Sequence, residues 1–290
     1  MKKILITGAN GYIGTSFGRW VSQYPDKYSV DTISLRDNCW REISFEGYDV
    51  ILHTAAVVHV KENDINEYFK INRDLTTDVV KKAKQEGVKQ FIFLSTMGVY
   101  GTETGYITKE TVSIPKTPYA LSKYEAEQIL IEMNTNDFNV AILRPPIVYG
   151  KDCPGNYTRL ATLALRLPCF PIIDNERSMI YIDNLSEFIR LLIDSCVGGM
   201  YFPQNKEYVK TTELVRLIAR AHNKEIKVLK ILNWSIAIGL KLSGTVRKVF
   251  GSFVYDKGMS GGPGTLMNGE YIDYETVSFR ESIICTEGRE

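Results

Sequence analysis

Short apolar runs alternate with amphipathic stretches through the first half of the chain. Residues 3–7, "KILIT", form an apolar run halted by a glycine-rich turn, as a buried parallel strand does. The following segment carries Phe17, Trp20 and Val21 along a helix, and "YSVDTISL" is expected to be a second strand. "DVILHTAA" reads as another strand, "YFKINRDLTTDVVKKAKQEG" as a helix closed by Gly87, and "QFIFLST" as a further strand. The helix of "TPYALSKYEAEQIL" and the segment "FNVAILRPPIVYG" continue the alternation. Such alternation predicts an α/β fold with a parallel sheet covered on both faces. Right-handed crossovers make it a doubly wound, Rossmann-like sheet.

After Gly150 the pattern changes. "CPGNYTRLATLALRLPCFP" reads as a helix ending in a proline-broken loop, and "SMIYIDNLSEFIRLLID" as a strand end leading into a helix. From about Tyr201 short strands and helices mix without βα alternation, and "SGGPG" at 260–264 reads as a turn or flexible loop. The expected division is a Rossmann domain over 1–150, to which 178–200 return, and a smaller C-terminal substrate-binding lobe, mainly 151–290.

With 290 residues, 44% hydrophobic and 24% charged, the chain has the make-up of a soluble globular protein. Its formal net charge of +1 offers no long-range field for nucleic acid or an anionic membrane. Lys81, Lys82 and Lys84 read as the wet face of a helix. The five cysteines are scattered without a Cys-x-x-Cys pair, which fits a reducing cytoplasm rather than a disulfide framework or a zinc site. His53, His59 and His222 make no ligand cluster, and structural roles are expected for the first two. The opening "MKKILITGANGYIG" lacks the apolar core of a signal peptide. "WSIAIGLKL" is too short to span a bilayer and is expected to be a buried or docking helix.

Chemistry enters with Gly8-Ala9-Asn10-Gly11-Tyr12-Ile13-Gly14, directly after the first strand and opening a helix. Gly8 permits the tight turn, Gly11 lets a pyrophosphate approach the backbone, and Gly14 lets helix pack on strand. The helix N-terminus then presents free N–H groups to the phosphates. The motif in this position points to dinucleotide binding. Tyr119 and Lys123 lie four apart on one helical face, a spacing that by itself fits either a catalytic pair or a packed surface.

The Gly-x-x-Gly-x-x-Gly spacing after Thr7 resembles the short-chain dehydrogenase/reductase superfamily, specifically the extended, nucleotide-sugar-modifying branch that forms the NAD-dependent epimerase/dehydratase family. Further ordered segments carry the resemblance across residues 4–190: "LHTAA", Asn72 within "YFKINRDLT", "FLSTMGVYG", "PYALSK", "LRPPIVYG" and "ERSMIYIDNL". It implies that Gly8, Gly11, Tyr12, Ile13 and Gly14 sit on the cofactor, with Ala55 and Ala56 passing beside it and Pro146 closing over the nicotinamide. Asn72 would brace the active site. Tyr119 and Lys123 become the catalytic pair, with Lys123 also on the nicotinamide ribose and Thr96 on a sugar hydroxyl. Ser95 is the alternative holder, since neighbours on a strand face opposite ways.

A free Tyr titrates near 10, too high for a base at neutral pH. The Lys123 ammonium and the positive nicotinamide ring are expected to lower it. Arg177 is the candidate for the substrate diphosphate, the alternative being a surface pair with Glu176 or Asp174. Asn156 is expected to assist there. Ile147 stands where many relatives carry Asn, and the tract before "DVILHTAA" is short, so the adenine side is expected to be unusual.

Arg36, at the end of the second strand, favours NADP(H), whereas Asp37 beside it suits NAD; both cofactors stay open. Met97-Gly98 follow Thr96 where the family's 4,6-dehydratases carry Asp-Glu, so dehydration is disfavoured. The resemblance then implies a 4-epimerase of a nucleotide-diphosphate sugar, either a UDP-hexose or a UDP-N-acetylhexosamine, serving surface polysaccharide synthesis. An NADPH-dependent 4-ketoreductase of a UDP-4-keto-6-deoxy sugar is the alternative, and a non-catalytic NADP sensor a third. The superfamily's four-helix dimer interface suggests a homodimer, for which Ala126, Ile129 and Leu130 are suitable apolar positions, though they equally suit packing within the subunit.

Overall fold

The computed structural model describes residues 1–58, 64–233, 247, 250–259, 261, 266–267, 270–271 and 273–288. His59, residues 234–242 and most of the 260–264 segment lie outside them. Along the first half run β1 (Lys2–Thr7), α1 (Tyr12–Val21), β2 (Tyr28–Ile33), β3 (Val50–His53), α2 (Ile65–Phe69), α3 (Thr76–Gln85) and β4 (Gln90–Leu94). Then come β5 (Gly105–Ile107), α4 (Pro118–Met133), β6 (Asn139–Leu143), β7 (Ile147–Tyr149), α5 (Asn156–Arg166), β8 (Cys169–Pro171) and β9 (Met179–Tyr181). The rest contributes α6 (Ile182–Ser195), β10 (Gly199–Tyr201), α7 (Thr211–Ala221), β11 (Lys227–Leu229), β12 (Phe253–Tyr255) and a helix we label α8 (Phe279–Glu287).

Six strands form one parallel sheet in the order β10-β6-β4-β3-β1-β2. The uninterrupted apolar runs have a simple cause: both faces are covered, and successive residues serve opposite faces. Ile4 and Ile6 join Phe17 of α1 and Leu185, Phe188 and Leu192 of α6 in one core. Leu5, between them, joins Val79 and Val80 of α3 and Ala126 and Leu130 of α4 in the other. Ala126 and Leu130 are therefore spent inside the subunit rather than on a dimer surface.

β1 is flanked by β2 on one side and β3 on the other, so the chain reverses its direction of winding there. Ligands of open α/β sheets bind at such switch points, outside the carboxyl ends of the strands. β2 is the edge strand, because the short tract after it forms a 3-10 turn over Asn38–Glu42. At the opposite edge β10 pairs with β6, while β9 pairs with β7.

A further core joins Tyr157 and Leu160 from α5, Val215 and Ile218 from α7, and Phe279 from α8 with Tyr149 of β7 and Tyr181 of β9. Three expectations change in detail. The helix expected over 68–87 is α2 and α3 joined by a π turn over Lys70–Leu75. "FNVAILRPPIVYG" yields two strands, because Pro145 and Pro146 lack the N–H that a sheet ladder needs. "CFP", expected as loop, forms β8 and pairs with β11. Among the described residues no helix is long and apolar enough to cross a membrane.

Candidate active site

The turn after β1 is built for close approach. Gly8 has φ +91°, and a Cβ there would lie 2.8 Å from the Ala55 nitrogen. A Cβ on Gly14 would lie 2.9 Å from Thr54 Oγ1 and 3.0 Å from Ile6 Cγ2. Thr54 Oγ1 donates to the Thr7 carbonyl at 2.7 Å, tying the ends of β1 and β3 together beneath the turn. Gly11, the N-cap of α1, offers no side chain to the first amides of that helix, which leaves them for an anion.

A cavity of about 470 Å³ opens here, and Gly8, Gly11, Arg36, Ala55 and Ala56 are in its wall. Ser34, Thr54, Glu67, Ile71 and Leu75 line it too, and these the sequence reading did not select. Asp37 does not; its Oδ1 instead accepts from the Cys39 N–H at 3.0 Å and caps the 3-10 turn. Tyr12 packs against the core around α5 and α7, and Ile13 against both that core and the one beneath α1 and α6. Among the described residues the buried Tyr12 hydroxyl has no hydrogen-bond partner.

The second half of the site is held by a buried polar chain. Asn72 sits in the π turn, fully buried, where its amide exchanges hydrogen bonds with both backbone groups of Val57. Its Nδ2 also donates to Ser122 Oγ at 3.1 Å, and Ser122 donates to the Tyr119 carbonyl at 2.9 Å. Asn72 thus braces the segment beside the cavity against the first turn of α4. Behind it His53 bridges Thr7 Oγ1 and Thr76 Oγ1 at 2.8 and 2.9 Å. Burial, with Lys123 adding to it, pushes His53 down to about 3, so it is a neutral structural strut.

Thr117 caps α4 by accepting from the Ala120 N–H at 3.2 Å, and Pro118 fills its first position. This start aims Tyr119 and Lys123 along one stripe toward the end of β4. Lys123 is 2% exposed, and its Nζ donates to the Leu94 carbonyl at 2.8 Å, 4.4 Å from the Phe93 ring centroid. Burial lowers its pKa to about 7, with the Glu127 carboxylate opposing the shift. Tyr119, in edge contact with Tyr68, is raised to about 12, chiefly by burial. The expected lowering by Lys123 is not present in this geometry, because the amine lies on the Leu94 carbonyl and is itself only partly charged at neutral pH.

Thr96 is half-buried; its Oγ1 accepts from the Gly98 N–H at 3.0 Å, and its hydroxyl proton remains free to donate. Gly98 in turn stands beside Ala120 of α4, which brings Thr96 to the Tyr119 end of the helix. Ser95 is buried, and its Oγ has no partner among the described residues. Pro146 is buried on the neighbouring segment, and Met97 donates to the Pro145 carbonyl at 3.1 Å.

Arg177 is 8% exposed and makes no ion pair with a described residue. Asp174, offered as its partner, pairs with Lys210 at 2.7 Å instead. Arg177 Nη1 donates to the Gly251 carbonyl at 2.8 Å, its buried Nε has no partner among the described residues, and burial lowers its pKa to about 10. With Asn156 and Ile147 it lines a pocket of about 30 Å³ between α5 and α7. Among the described residues no group of His, Cys, Asp and Glu could hold a metal ion.

A family model, the NAD dependent epimerase/dehydratase family, matches residues 4–200. The chain is 31% identical over 271 residues to UDP-glucose 4-epimerase of Vibrio cholerae, covering 84% of this chain and 83% of that one. It is 23% identical to GDP-6-deoxy-D-mannose reductase of Pseudomonas aeruginosa over 256 residues, 79% of this chain and 83% of the relative. The fold is shared with UDP-glucuronic acid 4-epimerase of Bacillus cereus, solved in complex with NAD, at a TM-score of 0.71 and 18% identity over 98% of this chain and 95% of that one. A Rossmann sheet with a cradle fit for a dinucleotide, and a match over most of its length, place the chain in the NAD(P)-dependent epimerase/dehydratase family of enzymes.

Proposed function

We propose that this enzyme is a nucleotide-sugar 4-epimerase acting on a UDP-hexose or UDP-N-acetylhexosamine through a transient 4-keto sugar, in surface polysaccharide synthesis. The observation that carries the reading is Arg177. A buried guanidinium with an unsatisfied Nε and no carboxylate partner among the described residues has its complement in an anionic ligand, and its planar fork suits a diphosphate. Asn156 lies in the same pocket. Residues 1–150, with 178–200, hold the cofactor in this reading, and 151–290 mainly the sugar nucleotide.

Gly8, Gly11, Gly14 and the first amides of α1 would hold the pyrophosphate, with Ala55 and Ala56 alongside. Bound NAD(P) supplies a reversible hydride acceptor. Thr96 donates to the substrate and aligns the C4 hydroxyl. Tyr119, as phenolate, would take the C4 hydroxyl proton as a C4 carbonyl forms, the C4–H hydrogen leaving as hydride to a bound cofactor. Burial holds the phenol up, and the positive charge of a bound oxidised nicotinamide would counter it. Once the 4-keto sugar has turned over and its other face is reduced, Tyr119 would return the proton. Net oxidation is zero.

Arg36 favours a second reading. It lines the cavity while Asp37 is engaged as a cap, an arrangement suited to the 2′-phosphate of NADPH and hence to a 4-ketoreductase. Mass spectrometry of the cofactor released by denaturing freshly purified protein separates the two. Stoichiometric NAD supports the epimerase, which must retain cofactor between its two hydride steps. An empty site that binds NADPH reversibly supports the reductase.

A further inference from the structure

α4 carries a third residue in line with Tyr119 and Lys123. Glu127 lies one further turn along the same stripe and is fully buried. Its two oxygens receive Arg144 Nε at 2.9 Å and Nη2 at 2.6 Å, a two-pronged fork. Arg144 Nη1 donates to Ser113 Oγ at 3.0 Å, and its guanidinium carbon lies 5.1 Å from the Tyr100 ring centroid.

The backbone of Arg144 is held as firmly as its side chain. Its N–H donates to the Tyr201 carbonyl on β10, and its carbonyl accepts from Tyr255 Oη on β12, both at 2.9 Å. Arg144 also opens the Pro145–Pro146 segment. β12 continues to the substrate side, where Phe253 donates to Glu176 and accepts from Ser178 on either side of Arg177. One junction therefore joins the Lys123 helix, the proline segment and the strand beside Arg177.

A buried ion pair is a poor source of stability, because apolar residues of similar volume serve as well or better. Its use here lies in position. We propose that Glu127 and Arg144 are positioning residues: their buried fork fixes α4 against the Arg144–Pro146 segment and holds Lys123 where it serves cofactor and Tyr119. The inference rests on Tyr119 and Lys123 being the catalytic pair, and the pair itself touches neither substrate nor cofactor.

Among the described residues, the titratable and charged groups around Lys123 are Tyr119 and Glu127 on its own helix, Arg144 forked on Glu127, and His53 on β3, which is neutral. Glu127→Gln removes the only one of these that favours the Lys123 ammonium. The alkaline fall in NAD(P)H affinity, read by nicotinamide fluorescence, should then move to lower pH by about one unit. Turnover per folded molecule should drop by roughly tenfold to a hundredfold, as misplacing a catalytic group does. Glu127→Asp should restore the pH midpoint in part.

Glu127→Gln leaves Arg144 buried and unpaired, which costs stability; Glu127→Met with Arg144→Met removes both charges and should fold at least as well as the native chain. If that double variant regains stability yet keeps the shifted midpoint and low turnover, the positioning role stands. If it binds NAD(P)H with the native pH profile and turns over normally, the pair is merely structural and the proposal is overturned. The cofactor titration needs no sugar, so it reads the positioning role even if the sugar assignment fails. Failure of the epimerase reading would appear separately, as a freshly purified protein that releases no NAD on denaturation and binds NADPH reversibly.

Discussion

Lys123 reaches the carbonyl of Leu94 at 2.8 Å across the gap between α4 and the end of β4, two residues before Thr96. The contact sets an amine whose pKa burial lowers to about 7 against the strand end that leads to Thr96. An unfolded lysine titrates near 10.4. Between these values the unfolded chain binds more protons, so stability rises as pH rises, by about 1.4 kcal/mol per unit at most. Urea unfolding of the native chain and of Lys123→Met at pH 7 and pH 9 checks this. The native chain should gain about 2 kcal/mol on the variant over that interval. Parallel pH dependences would show that the amine stays charged in the fold.

Tyr119→Phe deletes the proton carrier and leaves the ring contact with Tyr68 in place. Turnover should fall by about a thousandfold, within the range for loss of a general acid–base group. NAD(P)H affinity should stay within a factor of about three, since the phenol is asked for proton transfer and not for anchoring. Retained turnover would remove the catalytic reading of this helix.

Arg177→Met tests the diphosphate pocket. The guanidinium has no ion pair to lose among the described residues, and its burial already lowers its pKa, so thermal stability should hold or rise. Affinity for UDP, measured calorimetrically, should weaken by about 2 kcal/mol, the scale of a charge-assisted hydrogen bond. A large loss of stability with unchanged UDP binding would make Arg177 a strut for the Gly251 carbonyl.

Gly8→Ala places a Cβ against Ala55 at a φ of +91°. The strained backbone and the clash should cost about 1–3 kcal/mol. Cofactor retention should be lost along with it, because the same turn has to admit the pyrophosphate. Differential scanning fluorimetry with and without NAD(P) separates the effects: the variant should melt lower and show no cofactor-dependent rise.

Arg36→Ala addresses cofactor choice. NADPH affinity should fall by about tenfold while NADH affinity changes little, because only the former presents a 2′-phosphate to the guanidinium. Equal losses for both cofactors would assign Arg36 to the cavity wall alone.

The sequence by itself determined the order of βα units and the sheet they make, because apolar runs and glycine turns are local signals of period and backbone freedom. It also marked the glycine turn as a phosphate cradle from residue type and position, whereas Tyr119, Lys123 and Arg177 became candidates only through the ordered resemblance to a known family, since their spacing alone fits a packed surface as well. Tertiary structure decided the rest. The Asp37 cap on Cys39 is a local contact, two residues apart, but nothing local shows that Arg36 would line the cavity, or that Asp174 would pair with Lys210 and leave Arg177 without a carboxylate among the described residues. The spacing of Glu127 placed it on the Lys123 stripe, yet only folding brought Arg144, from another strand end, onto its carboxylate. Likewise only folding brought Val57 and Ser122 to the Asn72 side chain. Partners remote in sequence are chosen by packing, and they decide which polar groups are spent inside the fold and which remain for a ligand.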